Sequence, residues 1–289
     1  MANNIQLAKN YVDLLDEAYK YASVTEDLVS DSTLIQAGAN ANEIVYPQVE
    51  VSGLGDYDRN SGYTDNSVTF KYETAKFNYD RGSKISVDVM DNEETRNLAF
   101  ASAGGELVRA KAAPEGDAFT FATLAGTTGI TVADPATFAD ATAFLNALLT
   151  AWSEMDELEV PQESRLLYAN STLLNSVMAL DTTKSREILG RFAKTKPVPQ
   201  SRFYTAIDLL SGKNEESMGH YKKAEGGKDI NFMIVEKSAV IKYDKHVVGD
   251  IIPAALNPNS DSDILKYRKY GIVDVFKNKT AGIYLSHKA

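Results

Sequence analysis

The hydrophobic period of this chain changes from 3.6 to 2 and back again, and that change decides most of what it can fold into. Over residues 5–22, Ile5, Ala8, Tyr11, Val12, Leu15, Ala18, Tyr19 and Ala22 recur at three- and four-residue spacing, with Asp16 and Lys20 one turn apart. This is the pattern of an amphipathic helix. Its stripe suits either an ordinary core helix or an arm with one adhesive face, and nothing near it in sequence obviously covers it. Over residues 49–90 the period is two: Val68, Phe70 and Tyr72, then Phe77 and Tyr79, then Ile85, Val87 and Val89 alternate with polar residues. Antiparallel strands are predicted there. The polar loop before them, residues 54–66, holds Gly55, Asp56, Asp58, Arg59, Gly62 and Asp65 and reads as the tip of a long hairpin. An isolated two-stranded hairpin is marginal in water, so this one needs a surface to lie on.

Helical signals follow. Asp91 with Glu94 three residues on predicts an N-cap, and Leu98, Ala101, Leu107 and Val108 carry the helix to about Ala112. Pro114 interrupts it, so a kink or restart is expected before Phe119, Phe121 and Leu124. A second helix is predicted from Asp134 as N-cap with Pro135 at its first position, running through Phe138, Ala141, Leu145, Leu148, Trp152 and Met155. A strand at 165–169, a helix at 171–180, a basic stretch to Arg202 and strands at 230–236, 239–243, 264–270, 272–276 and 281–285 complete the α+β reading. Phe138, Leu145, Leu148, Trp152 and Leu166 are expected to share one core.

Composition narrows the function. The 289 residues are 44% hydrophobic, enough to bury a real core, and contain no long apolar run. Charges mixed into residues 1–20 argue against a signal peptide, so the chain is expected to remain in the cytoplasm where it is made. Zero cysteines exclude disulfides, thiolate nucleophiles and Cys-type metal sites, and three histidines leave little for metal chemistry. A formal charge of −10 disfavours broad attraction to nucleic acid or to an anionic membrane.

The local clusters favour bland readings. Glu154, Asp156, Glu157 and Glu159 wrap round a helix end with no histidine nearby, which suits a solvated end or a surface meeting a basic neighbour. Asn257, Asn259, Asp261 and Asp263 alternate like calcium ligands but lack the glycine and glutamate of that loop, which leaves a polar turn. Gly126 to Gly129 and the pair Gly226 and Gly227 lack phosphate-loop spacing. His220, His246 and His287 have no motif around them. Lys184, Arg186, Arg191, Lys194, Lys196 and Arg202 stand against Glu187 alone. A basic segment and an acidic helix end on one subunit are self-complementary for head-to-tail packing.

Residues 80–124 carry a denser pattern: Asp80-Arg81-Gly82, then Ile85-Ser86-Val87-Asp88-Val89-Met90-Asp91, Glu94-Thr95, Arg109, and Pro114-Glu115-Gly116-Asp117-Ala118-Phe119. This resembles the Asp-Arg-Gly, Val-Asp-x-x-Asp, Glu-Thr and Pro-Glu-x-Asp-Ala-aromatic pattern of a group of tailed-bacteriophage major capsid proteins with the Hong Kong 97-like fold. The order of elements is similar over the whole chain. The resemblance implies an N-terminal arm (1–46), an E-loop hairpin (47–90), a peripheral domain with its spine helix (91–133), an axial domain (134–262) and return strands of the peripheral domain (263–289). Asp80, Arg81, Asp88 and Asp91 would fix the base of the E-loop on the spine, whose own motif residues are Arg109, Glu115 and Asp117.

By the same resemblance the chain is a structural protein without catalysis or cofactor. It would assemble in the host bacterial cytoplasm as hexamers and pentamers of a virion shell, enclosing double-stranded DNA without sequence-specific binding and without a membrane. Some relatives begin with a long helical scaffolding segment that is cleaved off. This chain has a short arm and keeps Met1, which implies a separate scaffolding protein beside the portal. Gly116 departs from the usual form of the helix motif, and nothing supports carrying over the founding member's covalent cross-link. Two alternatives stand beside this reading: an encapsulin-like compartment shell, and, from another class, a soluble enzyme or ligand-binding protein.

Overall fold

Strand pairing sorts the chain into two units in the computed structural model, which describes residues 22–30, 36–37, 42–60, 62–63, 65, 67–94, 98–213 and 219–289. The smaller unit is the described part of Asp31–Asn78, and the larger comprises the rest. The helix predicted over 5–22 lies outside the described residues except for Ala22.

In the smaller unit a short strand, β1 (Gln36–Ala37), pairs with β2 (Glu43–Val51), and β2 pairs with β3 (Val68–Lys76). β2 and β3 run antiparallel in unbroken register from Glu43 opposite Lys76 to Val51 opposite Val68. The predicted hairpin is therefore present, with a slightly longer loop, residues 52–67. Within that loop the backbones of Asp58 and Gly62 exchange hydrogen bonds of 3.1 and 2.7 Å. Gly62 has φ +82°, a conformation that glycine adopts without a Cβ clash.

The larger unit continues with β4 (Tyr79–Asp88), which pairs with a distant strand and not with β3. Helix α1 (Val89–Glu94) starts earlier than predicted. Asp88 at the end of β4, and not Asp91, caps it by accepting from the Met90 N–H at 2.9 Å. Asp91 lies inside the first turn because the earlier carboxylate already meets the free amides where the strand ladder ends.

Helix α2 (Leu98–Leu107) and helix α3 (Ala113–Ala125) are joined by a π-turn, Val108–Ala112. The break expected at Pro114 takes this form. Proline has no N–H for the carbonyl four residues back, and the wider turn lets Ala113 donate to the Val108 carbonyl instead. α3 is buried over most of its surface, Glu115 and Asp117 included.

The rest of the unit runs β5 (Thr131–Val132), α4 (Ala141–Glu157), β6 (Arg165–Asn170), α5 (Ser171–Ala179), α6 (Thr183–Gly190), β7 (Lys194–Val198), β8 (Ile207–Leu209), β9 (Tyr221–Lys223), β10 (Ile230–Glu236), β11 (Val240–Ile252), β12 (Ser262–Val275) and β13 (Ile283–His287). Its sheets are β5-β13-β10-β6-β7, β11-β12-β4 and the ribbon β8-β9. They cut across the expected divisions: β11, within 134–262, pairs along its length with β12, and β13, within 263–289, pairs with β10.

Two sequence expectations are corrected here. α4 is capped by Asp140, whose carboxylate accepts from Ala143 N–H at 2.7 Å, and not by Asp134. The backbone after Asp134 is committed elsewhere: Ala133 donates to Leu285 O at 2.8 Å, and Ala136 donates to His287 O at 3.0 Å. Extension along β13 wins over the cap and proline signal. Likewise Leu166 does not join Leu145, Leu148 and Trp152. Alternation along β6 sends Leu167 and Ala169 to the core under α4, and Leu166 and Tyr168 to the opposite core with Phe121, Leu124 and Phe203.

β10 is buried along its whole length, Asn231 and Glu236 included, because both faces are covered. β12 unites the two strands predicted on either side of Gly271. A Cβ there would lie 2.5 Å from Asp244 Oδ1, at the bulge between Asp244 and His246 in β11, so glycine lets the ladder pass.

The cap assignment is testable. Asp140→Ala should lower unfolding free energy by about 1 kcal/mol. Asp134→Ala should change it by less than about 0.5 kcal/mol. Urea unfolding followed through Trp152 fluorescence measures both, and the reverse ranking would refute the assignment.

Candidate functional site

The hairpin carries apolar residues on both faces: Ile44, Tyr46 and Ala75 on one are buried, and a second set lies on the other. Directly opposed residues of an antiparallel pair share a face, and the register sets Val49 opposite Phe70, Val51 opposite Val68 and Pro47 opposite Tyr72. The Phe70 and Tyr72 rings meet edge to face at 5.0 Å. Yet this face is bare: Val49, Val51, Val68, Phe70 and Tyr72 are 51 to 66% exposed. Gln48, Lys71 and Thr69 lie on the other face. An apolar sheet face left in water marks an interaction surface.

The loop extends the same character. Asp56, Asp58, Arg59 and Asp65 are exposed, as are Gly55 and the tip's Leu54, Tyr57 and Tyr63; Gly62 is half-buried. The two tyrosine rings pair at 4.9 Å. The sequence reading singled out the charges and glycines of this loop and missed its aromatic pair and the apolar face behind it. The alternation of Val45, Pro47, Val49 and Val51 was the signal available for that face.

The charged motif residues do different jobs. Asp80 pairs with Arg268 of β12 through bonds of 2.9 and 2.7 Å at the surface. Arg81 reaches α3 and binds Glu115 at 2.6 Å, while Tyr79 donates its hydroxyl to Glu115 at 3.2 Å. Arg81 also donates to Leu210 O at 2.8 Å and His220 O at 3.3 Å. Asp88 caps α1, Asp91 lies exposed on it, and Arg109 pairs with Glu106 at the surface. Of the four residues expected to tie 47–90 to the helix, Arg81 reaches α3, whereas Asp80 ties β4 to β12.

Asp117 is the most heavily bonded. It is fully buried, and its carboxylate accepts from Ser23 Oγ at 2.7 Å, Thr25 Oγ1 at 2.7 Å, the Val24 and Thr25 amides at 3.0 and 3.1 Å, and Arg202 at 3.0 Å. Thr25 Oγ1 in turn accepts from Lys242 Nζ at 2.6 Å, and Thr25 O accepts from it at 2.9 Å. Burial, helped by the charge of Lys269, pushes the Lys242 ammonium down to about 8. Segment 22–30 is thus fastened across α3 by a relay of charged and hydroxyl groups.

The basic stretch is largely occupied within the chain. Lys194 and Lys196 both pair with Asp27, and Arg202 pairs with Asp117. Burial would raise the Asp27 carboxyl, but the two lysines outweigh it and hold the group below its usual range. Arg186 pairs with Asp181, Lys184 donates to Asn146 at 3.2 Å, and Arg191 is exposed. In the acidic cluster Asp156 meets the buried Arg165 at 2.7 Å. The expected attraction between 184–202 and 154–159 therefore lacks Lys194, Lys196 and Arg202. Asn257 and Asp263 spend side-chain oxygens on the amides of Asn259 and Ala254. Among the described residues no cluster of three metal-ligating side chains occurs, and no helix is long and apolar enough to cross a membrane.

No family model matches the chain, and no curated protein matches it. Solved structures do. A structure from Mycobacterium phage Che8 is 14% identical with a TM-score of 0.60, over 91% of this chain and 90% of that one. The capsid structure of cyanophage P-SCSP1u is 12% identical with a TM-score of 0.60, over 93% and 88%. The asymmetric unit of the bacteriophage PhiM1 mature capsid is 13% identical with a TM-score of 0.58, over 86% and 82%. This chain has the Hong Kong 97-like fold of phage capsid proteins.

Asp117→Asn should cost about 3 to 5 kcal/mol, because it leaves Arg202 and the amides of segment 22–30 facing a neutral side chain. Arg109→Ala, at an exposed pair, should cost less than about 1 kcal/mol. Equal effects in urea unfolding would contradict the knot.

A pH effect follows at His220. Desolvation, with Lys111 and Arg81 nearby, lowers its imidazole below 6.5 against the opposing pull of Glu115. Between that lowered value and 6.5 the unfolded chain binds the proton and the folded chain does not, so stability should fall as pH falls through 6.5. His220→Gln should flatten that slope in unfolding measured across the window; an unchanged slope would exclude His220 as its source.

Proposed function

We propose that this chain is the major capsid protein of a tailed bacteriophage. It acts by assembling with copies of itself into the icosahedral head shell that encloses double-stranded DNA, and its role is structural rather than catalytic. The observation that carries the reading is the bare apolar face of the hairpin, in a chain with a capsid fold. A ribbon of two long strands with valines, a phenylalanine and a tyrosine facing water is not stable by itself. Covering it with a neighbouring copy removes apolar area from water at roughly 25 cal/mol per Å². Closed symmetry repeats that gain in every subunit, in hexamers and pentamers alike.

The other features suit the same role. A charge of −10 lets the protein surround DNA without adhering to it along its length. On this reading residues 1–46 are the arm, 47–90 the E-loop, 91–133 the peripheral domain with its spine helix, 134–262 the axial domain and 263–289 the return strands. Assembly takes place in the host bacterial cytoplasm with a separate scaffolding protein and a portal, and the product is the virion capsid.

The test replaces the bare face. Val49→Ser with Phe70→Ser should leave subunit unfolding within about 0.5 kcal/mol, since both side chains are already in water. Expressed with its scaffold, that double variant should give at least about tenfold fewer closed particles by electron microscopy than the wild-type chain. Normal particle yield would refute the proposal that this face is the intersubunit clasp. A wild-type chain that stays monomeric at every salt and protein concentration with scaffold present would refute the capsid reading itself.

A further inference from the structure

We infer that His220 is an acid-operated release for the β8–β9 ribbon: when its imidazole gains a proton, the end of the ribbon at residues 210 and 219–221 comes away from α3. The inference goes beyond the proposed assembly and does not depend on it, because every group it uses lies within the larger unit of one chain.

Polar contacts hold this ribbon in place. Residues 207–210 and 219–223 are all half-buried or exposed, and a two-stranded ribbon is marginal in water without a surface to rest on. One carboxylate fastens its end. Glu115 of α3 accepts from Arg81 Nε at 2.6 Å and from Arg81 Nη2 at 3.3 Å, and the same Nη2 donates to Leu210 O at 2.8 Å and to His220 O at 3.3 Å. Arg81 therefore joins β4, α3 and both sides of the ribbon. The base of the ribbon is tied by other groups, which do not titrate: Ala224 N donates to Ala206 O at 3.2 Å, and Thr205 N donates to Lys228 O at 2.9 Å. The base can thus stay attached when the end leaves.

His220 is the weak point of that fastening. Its backbone is left-handed, with φ +71°, a conformation that costs energy for a residue with a Cβ. Its Nδ1 is buried and stands 3.7 Å from Glu115 Oε2, too far for a hydrogen bond. The charged groups facing the ring are Glu115 of α3, Arg81 of β4 and Lys111 of the π-turn. Lys84 of β4 and Lys269 of β12 line the cleft beside it, with Tyr79, Tyr221 and Tyr267, and Lys269 is matched by Asp244. Glu115 is already bonded by Arg81 and Tyr79, so an imidazolium there would sit among cations whose counter-charge is taken. Burial and the two neighbouring cations hold the attached imidazole below 6.5, and a ring released into water regains its ordinary value. Acid therefore favours the released state, by up to about tenfold for each pH unit between the two values.

Hydrogen exchange resolved by residue tests this in the subunit, read as protection factors so that the pH dependence of exchange chemistry is removed. The Leu210 amide, which donates to His220 O at 2.9 Å, is the reporter, and β10 is the internal control. Between about pH 7.5 and about pH 5, protection at Leu210 should fall at least about threefold while β10 is unchanged. His220→Asn, which tolerates the left-handed backbone, and His220→Gln should each make Leu210 protection independent of pH over that range. Unfolding midpoints confirm that both variants are folded. Constant protection at Leu210 in the wild-type chain, or a fall that persists in the folded variants, overturns the assignment. A fall shared equally by β10 overturns it too, because the acid effect is then unfolding of the whole unit and not release of the ribbon.

Discussion

The carboxylate of Asp117 is the interaction on which the larger unit depends. A buried charge without partners costs several kcal/mol, so burying this one requires that donors be brought to it. They come from residues 23 to 25 and from Arg202, separated from it by 85 to 94 positions of sequence. Burying Asp117 thereby fixes where segment 22–30 crosses α3 and where the chain enters after β7. Lys242 extends the constraint to β11, because its own ammonium is buried and is held by Thr25. Segment 22–30 contributes one fully buried apolar side chain, Leu28. Polar bonds do most of the holding.

Around that knot the two units divide stability unequally. The larger unit has β10 covered on both faces and two apolar cores on opposite sides of its central sheet. In the smaller unit Ile44, Tyr46 and Ala75 are buried, while Val49, Val51, Val68, Phe70 and Tyr72 on the other face of β2 and β3 are exposed. Charge follows the same division: much of the basic segment is consumed inside the larger unit, and the loop of the smaller one keeps its acids at the surface. That exposed apolar face is the surface the proposed assembly would cover.

Legibility in the sequence followed the distance of the deciding partner. The strands at 165–169 and 230–236 were readable from their apolar stretches, Leu166 to Ala169 and Phe232 to Val235, whatever covers them. The hairpin was readable from alternation and from its polar loop. The caps at Asp91 and Asp134 were misplaced because Asp88 and Asp140 compete for the same role, and long-range strand pairing chooses between them. Leu166 was assigned to the wrong core because alternation tells which residues share a face without telling which face meets α4. The basic stretch read as an external surface because Asp27 and Asp117, its partners, lie far from it in sequence. Motif residues Arg81, Glu115 and Asp117 were found by resemblance, but their roles needed the pairing geometry.

The central claim is that the hairpin is completed by another copy. Hydrogen exchange of the backbone amides of β2 and β3, in dissociated subunits and in assembled particles of the same protein, tests it directly. The hairpin is marginal alone, so its amides should exchange within seconds to minutes in the subunit and be protected by orders of magnitude in the particle, while β10 is protected in both. Equal protection of β2 and β3 in the two states would show that the hairpin is stable without a neighbour and would contradict the account.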